Sequence, residues 1–107
     1  MNRQDMAKMT KIEIVTAGQD APAIRDLVER AGASGYTSVS GVSGVGHHGA
    51  HQGRLLFNDH AALEFLITVV PDDRADALLD GLRAVLEAGS GVMFVSDTYV
   101  SRPEYFT

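Results

Sequence analysis

The residues best suited to chemistry lie in one glycine-rich segment, residues 44–58, which reads GVGHHGAHQGRLLFN. It holds three histidines within five residues, His47, His48 and His51, followed by Arg54. Neutral imidazoles bind divalent metals, and a guanidinium offers two parallel N–H donors to an anion. Glycines let the backbone approach a ligand closely. The segment therefore suits either a metal or an anion.

Each of these two interpretations has a structural alternative. A connection this long between two strands is functional or disordered in most small domains. The histidines have no carboxylate among them to complete a metal shell, and the nearest one is Asp59. Metal sites usually combine a recognisable ligand set with supporting neighbours. A solvated hairpin with no ligand thus stays open beside the two binding hypotheses.

A second polar group is the run Gly89-Ser90-Gly91. Such a run commonly ends a helix and starts a turn. Consecutive backbone N–H groups beside a serine hydroxyl also form a concavity that binds anions. Two further candidates are Thr37, which could be an ordinary strand residue, and Arg102, which could be a terminal surface charge. Both interpretations stay open for each.

No arrangement for covalent or acid/base catalysis emerges. The chain has no cysteine, which excludes a thiol nucleophile, a disulfide and a zinc-thiolate site. The acidic run Asp72, Asp73, Asp76 and Asp80 lies at a predicted helix start, where carboxylates complement the helix dipole. No serine has a recognisable activating base. We therefore expect a binding protein and not an enzyme.

The composition limits the class of protein further. With 107 residues, 45% of them hydrophobic and 21% charged, the chain fits one globular domain. A net charge of −5 argues against a general nucleic-acid binder. No stretch approaches the ~20 apolar residues of a membrane span, so we expect no membrane insertion. Residues 1–9 show no periodicity and no signal-peptide pattern, which predicts a disordered tail, a domain over residues 10–107 and a cytoplasmic protein.

Hydrophobic periodicity predicts six elements in the order βαββαβ. We expect strands over Lys11–Ala17, Tyr36–Val42, Ala61–Val70 and Val92–Val100, a helix between Asp20 and Gly32, and a longer helix after Pro71. Asp20 is the expected cap of the first helix, and Asp72 or Asp73 that of the second. This order predicts an α+β, ferredoxin-like fold: a four-stranded antiparallel sheet with two helices on one face.

The third strand has apolar side chains on both faces, which predicts burial on two sides. We expect Leu66, Val70 and part of the fourth strand to lie on the face that the helices leave open. Exposed apolar patches usually mark an interface. The pattern therefore predicts a homo-oligomer whose sheets face one another.

Several segments in the right order resemble the PII signal-transduction superfamily. Val69–Asp73, the acidic helix after it, the glycine turn and Met93–Ser96 are similar to the second half of a PII protein. Gly35–Thr37 and Gly44–Gly46 are similar to the strand and loop base of its first half. The resemblance covers Thr10–Arg102, nearly the whole chain.

This resemblance implies a homotrimer that binds adenine nucleotides in the clefts between subunits. Thr37 would meet the adenine, the loop base would approach the phosphates, the glycine turn would donate N–H groups and Arg102 would add a cationic contact. The implied nucleotide-binding residues are Thr37, Gly44, Val45, Gly46, His47, Gly89, Ser90, Gly91 and Arg102.

The chain also departs from the nitrogen-regulating members. Its loop lacks the tyrosine that is modified in them, and Val92 stands where a lysine typically meets the terminal phosphates. We therefore expect ADP or AMP to be favoured over ATP. The loop itself resembles the PII-like branch associated with carboxysomes and inorganic-carbon uptake. That branch implies a bicarbonate site, here at His48, His51, Gln52 and Arg54.

The sequence thus predicts a regulator without a covalent cofactor that binds ADP or AMP and senses bicarbonate. Its expected partner is a membrane transporter or a carbon-metabolism protein. Two alternatives are a nitrogen-regulating PII relative and a divalent-metal-binding trimer of similar fold that uses His47, His48 and His51. An acylphosphatase-like enzyme is disfavoured, because the loop Ala17–Asp20 has no arginine.

Overall fold

The structure, a computed structural model, describes residues 1–43 and 62–107. Its elements follow the predicted order: β1 Ala7–Ala17, α1 Ala21–Arg30, β2 Thr37–Val42, β3 Leu63–Val70, α2 Asp72–Ala88 and β4 Val92–Val100. Short 3-10 turns cover Arg3–Asp5, Gly18–Asp20 and Pro103–Tyr105. The strands form one antiparallel sheet in the order β2-β3-β1-β4. The predicted ferredoxin-like arrangement is confirmed.

Both helices cover the same face of the sheet, which we call the helix face. The apolar stripes of α1 and α2 pack against alternate residues of β1 and β3. The buried apolar residues of this core are Ile12, Ile14, Ile24, Val28, Leu66, Val70, Ala75, Leu78, Leu82 and Leu86. Within the described parts of the chain, neither helix is long and apolar enough to cross a membrane.

The prediction of a disordered tail over residues 1–9 is wrong. Strand β1 begins at Ala7, and Met9 is only 5% exposed. Residues 7–9 pair with β4, where Lys8 lies opposite Tyr99. Before them, Asn2 caps the turn at Arg3–Asp5 by accepting the Gln4 N–H at 2.8 Å. Local periodicity missed this segment because its order comes from pairing with a strand some ninety positions away in the chain.

The prediction for the two faces of β3 is also wrong. Leu66 and Val70 are buried under the helices and not on the open face, because the register places Leu66 opposite Ile14. The open face instead carries the half-buried side chains of Leu63, Phe65, Ile67 and Val69. Phe94 of β4, opposite Glu13, adds a side chain that is 56% exposed. An apolar open face is therefore present with the predicted contribution from the fourth strand, but different residues of β3 form the rest of it.

Neither predicted aspartate makes a capping hydrogen bond. Asp20 occupies the cap position of α1 as predicted but makes no side-chain bond there, and Pro71 occupies the cap position of α2. The Asp72 carboxylate instead accepts hydrogen bonds from Lys8 Nζ at 2.6 Å and Thr10 Oγ1 at 2.7 Å. The hydrogen bond from Lys8, and after it the one from Thr10, lowers the pKa of Asp72. The same bond to Asp72 raises the pKa of Lys8. Asp72 thus fastens α2 to β1.

Candidate functional site

The glycine turn Gly89–Gly91 joins α2 to β4 and packs tightly on its neighbours. A Cβ at Gly89 would lie 2.9 Å from Asp20 Oδ2, and a Cβ at Gly91 would overlap Leu86 Cδ2. Between them, Ser90 Oγ donates to Asp20 Oδ2 at 3.4 Å. Close packing therefore accounts for both glycines. The anion-binding role of the turn stays a prediction.

Replacing Gly91 by alanine is expected to lower the free energy of unfolding by about 1–3 kcal/mol, because the added methyl group would overlap Leu86 Cδ2 and lie 3.2 Å from Thr16 Cβ, so the packed Leu86 side chain must shift. Urea denaturation measures this change. Gly35→Ala is the matched control, since no atom lies within 4 Å of a Cβ built there. Equal stability of Gly91→Ala and the unsubstituted protein would show that the turn can move without cost.

A polar cluster lies beneath the two strand ends that flank residues 44–61. The Glu64 carboxylate on β3, 8% exposed, forms an ion pair with Arg25 of α1. It also accepts a hydrogen bond from Ser40 Oγ of β2 at 3.4 Å. Gly41, at a β-bulge, and Ala62 both have positive φ. Sequence analysis missed this cluster, although a glutamate inside the apolar run LEFLITVV was a usable signal.

A cavity of about 300 Å³ lies where β2 begins. Thr37 pairs with Ile67, so the backbone of Thr68 and Val69 has no partner from β2 beyond that point. The cavity occupies this corner of the sheet. Two of its lining residues are joined by a hydrogen bond, which Thr68 Oγ1 donates to the Gly35 carbonyl at 2.7 Å. Its lining residues are Ser34, Gly35, Tyr36, Thr37, Ile67, Thr68, Val69, Tyr105 and Phe106.

The C-terminal turn links Arg102 to Tyr105, which lines this cavity, although Arg102 is not itself a lining residue. The Arg102 guanidinium donates to the Tyr105 hydroxyl at 3.0 Å and lies 5.6 Å from the centre of the Tyr105 ring. Since Tyr105 lines the cavity together with Thr37, two of the predicted nucleotide residues belong to one region. Sequence analysis missed Tyr105 and Phe106, for which an aromatic pair after Pro103 was the only signal.

The other predicted site residues lie outside the described residues. These are Gly44, Val45, Gly46 and His47 of the nucleotide site, and His48, His51, Gln52 and Arg54 of the bicarbonate site. The predicted loop over residues 44–58 and the alternative metal ligands His47, His48 and His51 lie outside them as well. In residues 1–43 and 62–107 no cluster of three histidines or carboxylates is placed to hold a metal ion.

The cavity and the glycine turn are at opposite edges of the sheet. Thr37 lies on the edge strand β2, and Gly91 directly precedes the edge strand β4. Three inter-strand spacings amount to about 14 Å, before any offset along the strands. A ligand joining the two within one chain would have to cross the sheet over the apolar side chains of Phe65 and Ile67 or through the core. This separation favours a single site built from two chains over one built within a chain.

A second cavity, of about 450 Å³, lies between the start of α1 and the end of α2. Its walls are Gln19, Asp20, Ala23, Ala84, Val85, Ala88 and Gly89. It adjoins the glycine turn through Asp20 and Gly89, on the side of the turn that faces the helices.

Comparison with known proteins agrees with this fold. The family model described as nitrogen regulatory protein P-II matches residues 9–105. The chain therefore belongs to the P-II family. None of the curated proteins compared with the chain matches it.

Solved structures give more specific relatives. CPII, a nitrogen regulatory PII-like protein from Thiomonas intermedia K12 bound to ADP, AMP and bicarbonate, is 42% identical, with a TM-score of 0.80 over 94% of this chain and 95% of that one. CPII bound to ADP and bicarbonate is 39% identical, with a TM-score of 0.79 over 95% and 97% of the two chains. A structure from Thermus thermophilus described as PII-like, 21% identical with a TM-score of 0.75 over 96% and 99%, supports the fold alone.

Proposed function

We propose that this chain is a regulatory protein, without enzymatic activity, that assembles as a homotrimer and binds ADP or AMP in the clefts between subunits. The observation that carries the proposal is the 42% identity, over nearly the full length of both chains, to CPII bound to ADP, AMP and bicarbonate. A cavity lined by Thr37 and by Tyr105, the hydrogen-bond partner of Arg102, supports it independently.

The adenine base enters the cavity beside Thr37. Its volume of about 300 Å³ is at the lower end of the range for ligand pockets, so it suits a base better than a whole nucleotide. The apolar walls formed by Ile67, Val69 and Phe106 suit a flat aromatic ring. Hydroxyls and the unpaired backbone edge of β3 supply hydrogen-bonding groups. The phosphates then extend out of the cavity.

The phosphates meet the glycine turn of a neighbouring subunit. The Gly89 N–H is donated to the Leu86 carbonyl at 3.1 Å, so the turn would offer the consecutive N–H groups of Ser90 and Gly91 to an anion. The first side chain after it, Val92, is 46% exposed and uncharged, so it adds no cation for a terminal phosphate. This is the basis for proposing that ADP or AMP is preferred over ATP. Arg102 supplies the positive charge from the cavity side.

Bicarbonate is the proposed second ligand, held by His48, His51, Gln52 and Arg54. The support is the bicarbonate bound in CPII together with the chemistry of these side chains. The segment that carries them begins and ends at strands tied together by Ser40 and Glu64. We place the protein in the cytoplasm, where it regulates inorganic-carbon transport or metabolism through a membrane transporter or a carbon-metabolism protein.

Calorimetric titration tests this proposal. The metal-free protein is titrated with AMP, ADP and ATP, each in bicarbonate and in chloride at equal pH and ionic strength. We expect micromolar binding of ADP or AMP that bicarbonate strengthens, and by linkage ADP must strengthen bicarbonate binding by the same factor. Absence of nucleotide binding would overturn the proposed function. Equal bicarbonate affinity with and without saturating ADP would refute the coupling alone.

A further inference from the structure

The C-terminal turn pairs Arg102 with a neutral aromatic residue. Tyr105 receives a hydrogen bond from the Arg102 guanidinium at 3.0 Å and presents its ring 5.6 Å away. We propose that Tyr105 is a positioning residue that holds Arg102 at the mouth of the base cavity, directed at a nucleotide phosphate, while its ring forms part of the wall for the base. This inference rests on the proposed function and adds residues that determine affinity for the phosphorylated ligand.

The turn itself enforces the pairing. Arg102 precedes a 3-10 turn over Pro103–Tyr105, closed by the Tyr105 N–H to the Arg102 carbonyl at 3.0 Å and the Phe106 N–H to the Pro103 carbonyl at 2.9 Å. Pro103 fixes its own φ and so restricts the start of the turn. Arg102, with φ −134° and ψ 77°, lies just before the 3-10 geometry, and its hydrogen bond to the Tyr105 hydroxyl at 3.0 Å shows that the two side chains share one side of the constrained turn.

The neutral partner keeps the arginine charge available. In the described parts of the chain, no carboxylate lies within ion-pair distance of Arg102, whereas Arg25, Arg30 and Arg83 each pair with one. A carboxylate partner would have to be displaced by a phosphate, but a phenol hydroxyl and an aromatic face leave the guanidinium charged and several of its N–H groups free. Tyr105 thus restricts the conformations of the Arg102 side chain without neutralising its positive charge.

Tyr105 also contributes to the cavity wall. It is 61% exposed but lines the cavity together with Phe106, Thr37 and Ile67. Removing its hydroxyl should therefore affect only the arginine, whereas removing its ring should affect the arginine and the base. This difference separates a positioning role from a purely structural one.

Two substitutions at Tyr105 use this difference. Tyr105→Phe keeps the ring and is expected to weaken ADP binding about three- to tenfold, the value of one hydrogen bond, and to leave adenosine binding unchanged. Tyr105→Ala is expected to weaken both ligands. Tyr99→Phe is the matched control, because Tyr99 also stacks with an arginine, Arg3 at 5.5 Å, but does not line the cavity. Melting temperatures are compared to confirm folding.

A double-mutant cycle with Arg102→Gln decides whether Tyr105 acts through Arg102. Arg102→Gln should weaken ADP and not adenosine, and adding Tyr105→Phe in that background should change neither. If Tyr105→Phe matches the unsubstituted protein, or still weakens ADP when Arg102 is replaced, the positioning role is refuted while the proposed function stands. If the unsubstituted protein binds no ADP, the proposed function fails first.

Discussion

Replacing Phe94 by lysine is expected to convert the proposed trimer into monomers and to abolish the proposed ADP binding. Phe94 is the most exposed large apolar side chain within the four strands, 56% accessible, and lies on the open face. Sheets that face one another would bury it, and moving a lysine ammonium group from water into such an interface carries a desolvation penalty that a pair with Glu13 only partly repays. In the monomer the new ammonium group faces Glu13 across the strand pair, so the isolated chain stays folded.

The neighbouring residue provides the control. Val95 follows Phe94 in β4, is 49% exposed and lies on the helix face, opposite Ile12. Val95→Lys introduces the same charge on the same strand but should leave the trimer and its ADP affinity intact. Light scattering and calorimetry at micromolar concentration measure both properties. A trimeric Phe94→Lys variant would show that the open face is not the contact between subunits.

The sequence predicted the helices and the last strand well because their signals are local. The stripe of α2 is complete within one helix, and Leu78, Leu82 and Leu86 are buried as its spacing requires. Strand β4 has the predicted bounds, Val92–Val100, since a glycine turn precedes it and Pro103 follows. Local propensity and final structure agree in these segments, so tertiary contacts had nothing to override.

The errors arose where the decisive contact is distant in sequence. Met9 is buried although the segment around it lacks strand-like alternation, because β4 pairs with it. The faces of β3 were assigned the wrong way round because Leu66 and Phe65 are equally apolar. A period-two pattern separates the two faces of a strand but does not show which of them packs against the helices. The pairing of Leu66 with Ile14 places Leu66 on the helix face.

The candidate site was partly predictable for the same reason. Thr37, Gly89–Gly91 and Arg102 were identified from residue type and from the resemblance to PII proteins. Tyr105 and Phe106 were missed because their position beside Thr37 depends on how the chain returns after β4. The ion pair of Glu64 with Arg25 joins residues thirty-nine positions apart and has no local signature.

Mixed trimers are expected to recover ADP binding that two single variants lose. Thr37→Trp fills the base cavity, and Ser90→Glu places a carboxylate on the glycine turn; each homotrimer should bind ADP at least about tenfold more weakly. In trimers assembled from equal amounts of both, a cleft that joins the cavity of one chain to the turn of its neighbour is intact in about one quarter of cases. Calorimetry should therefore measure tight ADP binding at about one quarter of the clefts.

Mixing a chain that carries both substitutions with the unsubstituted chain provides the control. If each cleft is shared between neighbours, about one quarter of the clefts again bind ADP. If the cavity and the turn of one chain formed a site together, the single variants would recover none and the doubly substituted mixture about one half. Because Thr37 and Gly91 lie on opposite edges of the sheet, we expect about one quarter of the clefts to bind ADP in both mixtures. Those results would make assembly a condition of nucleotide binding, because neither chain alone would then contain a complete cleft.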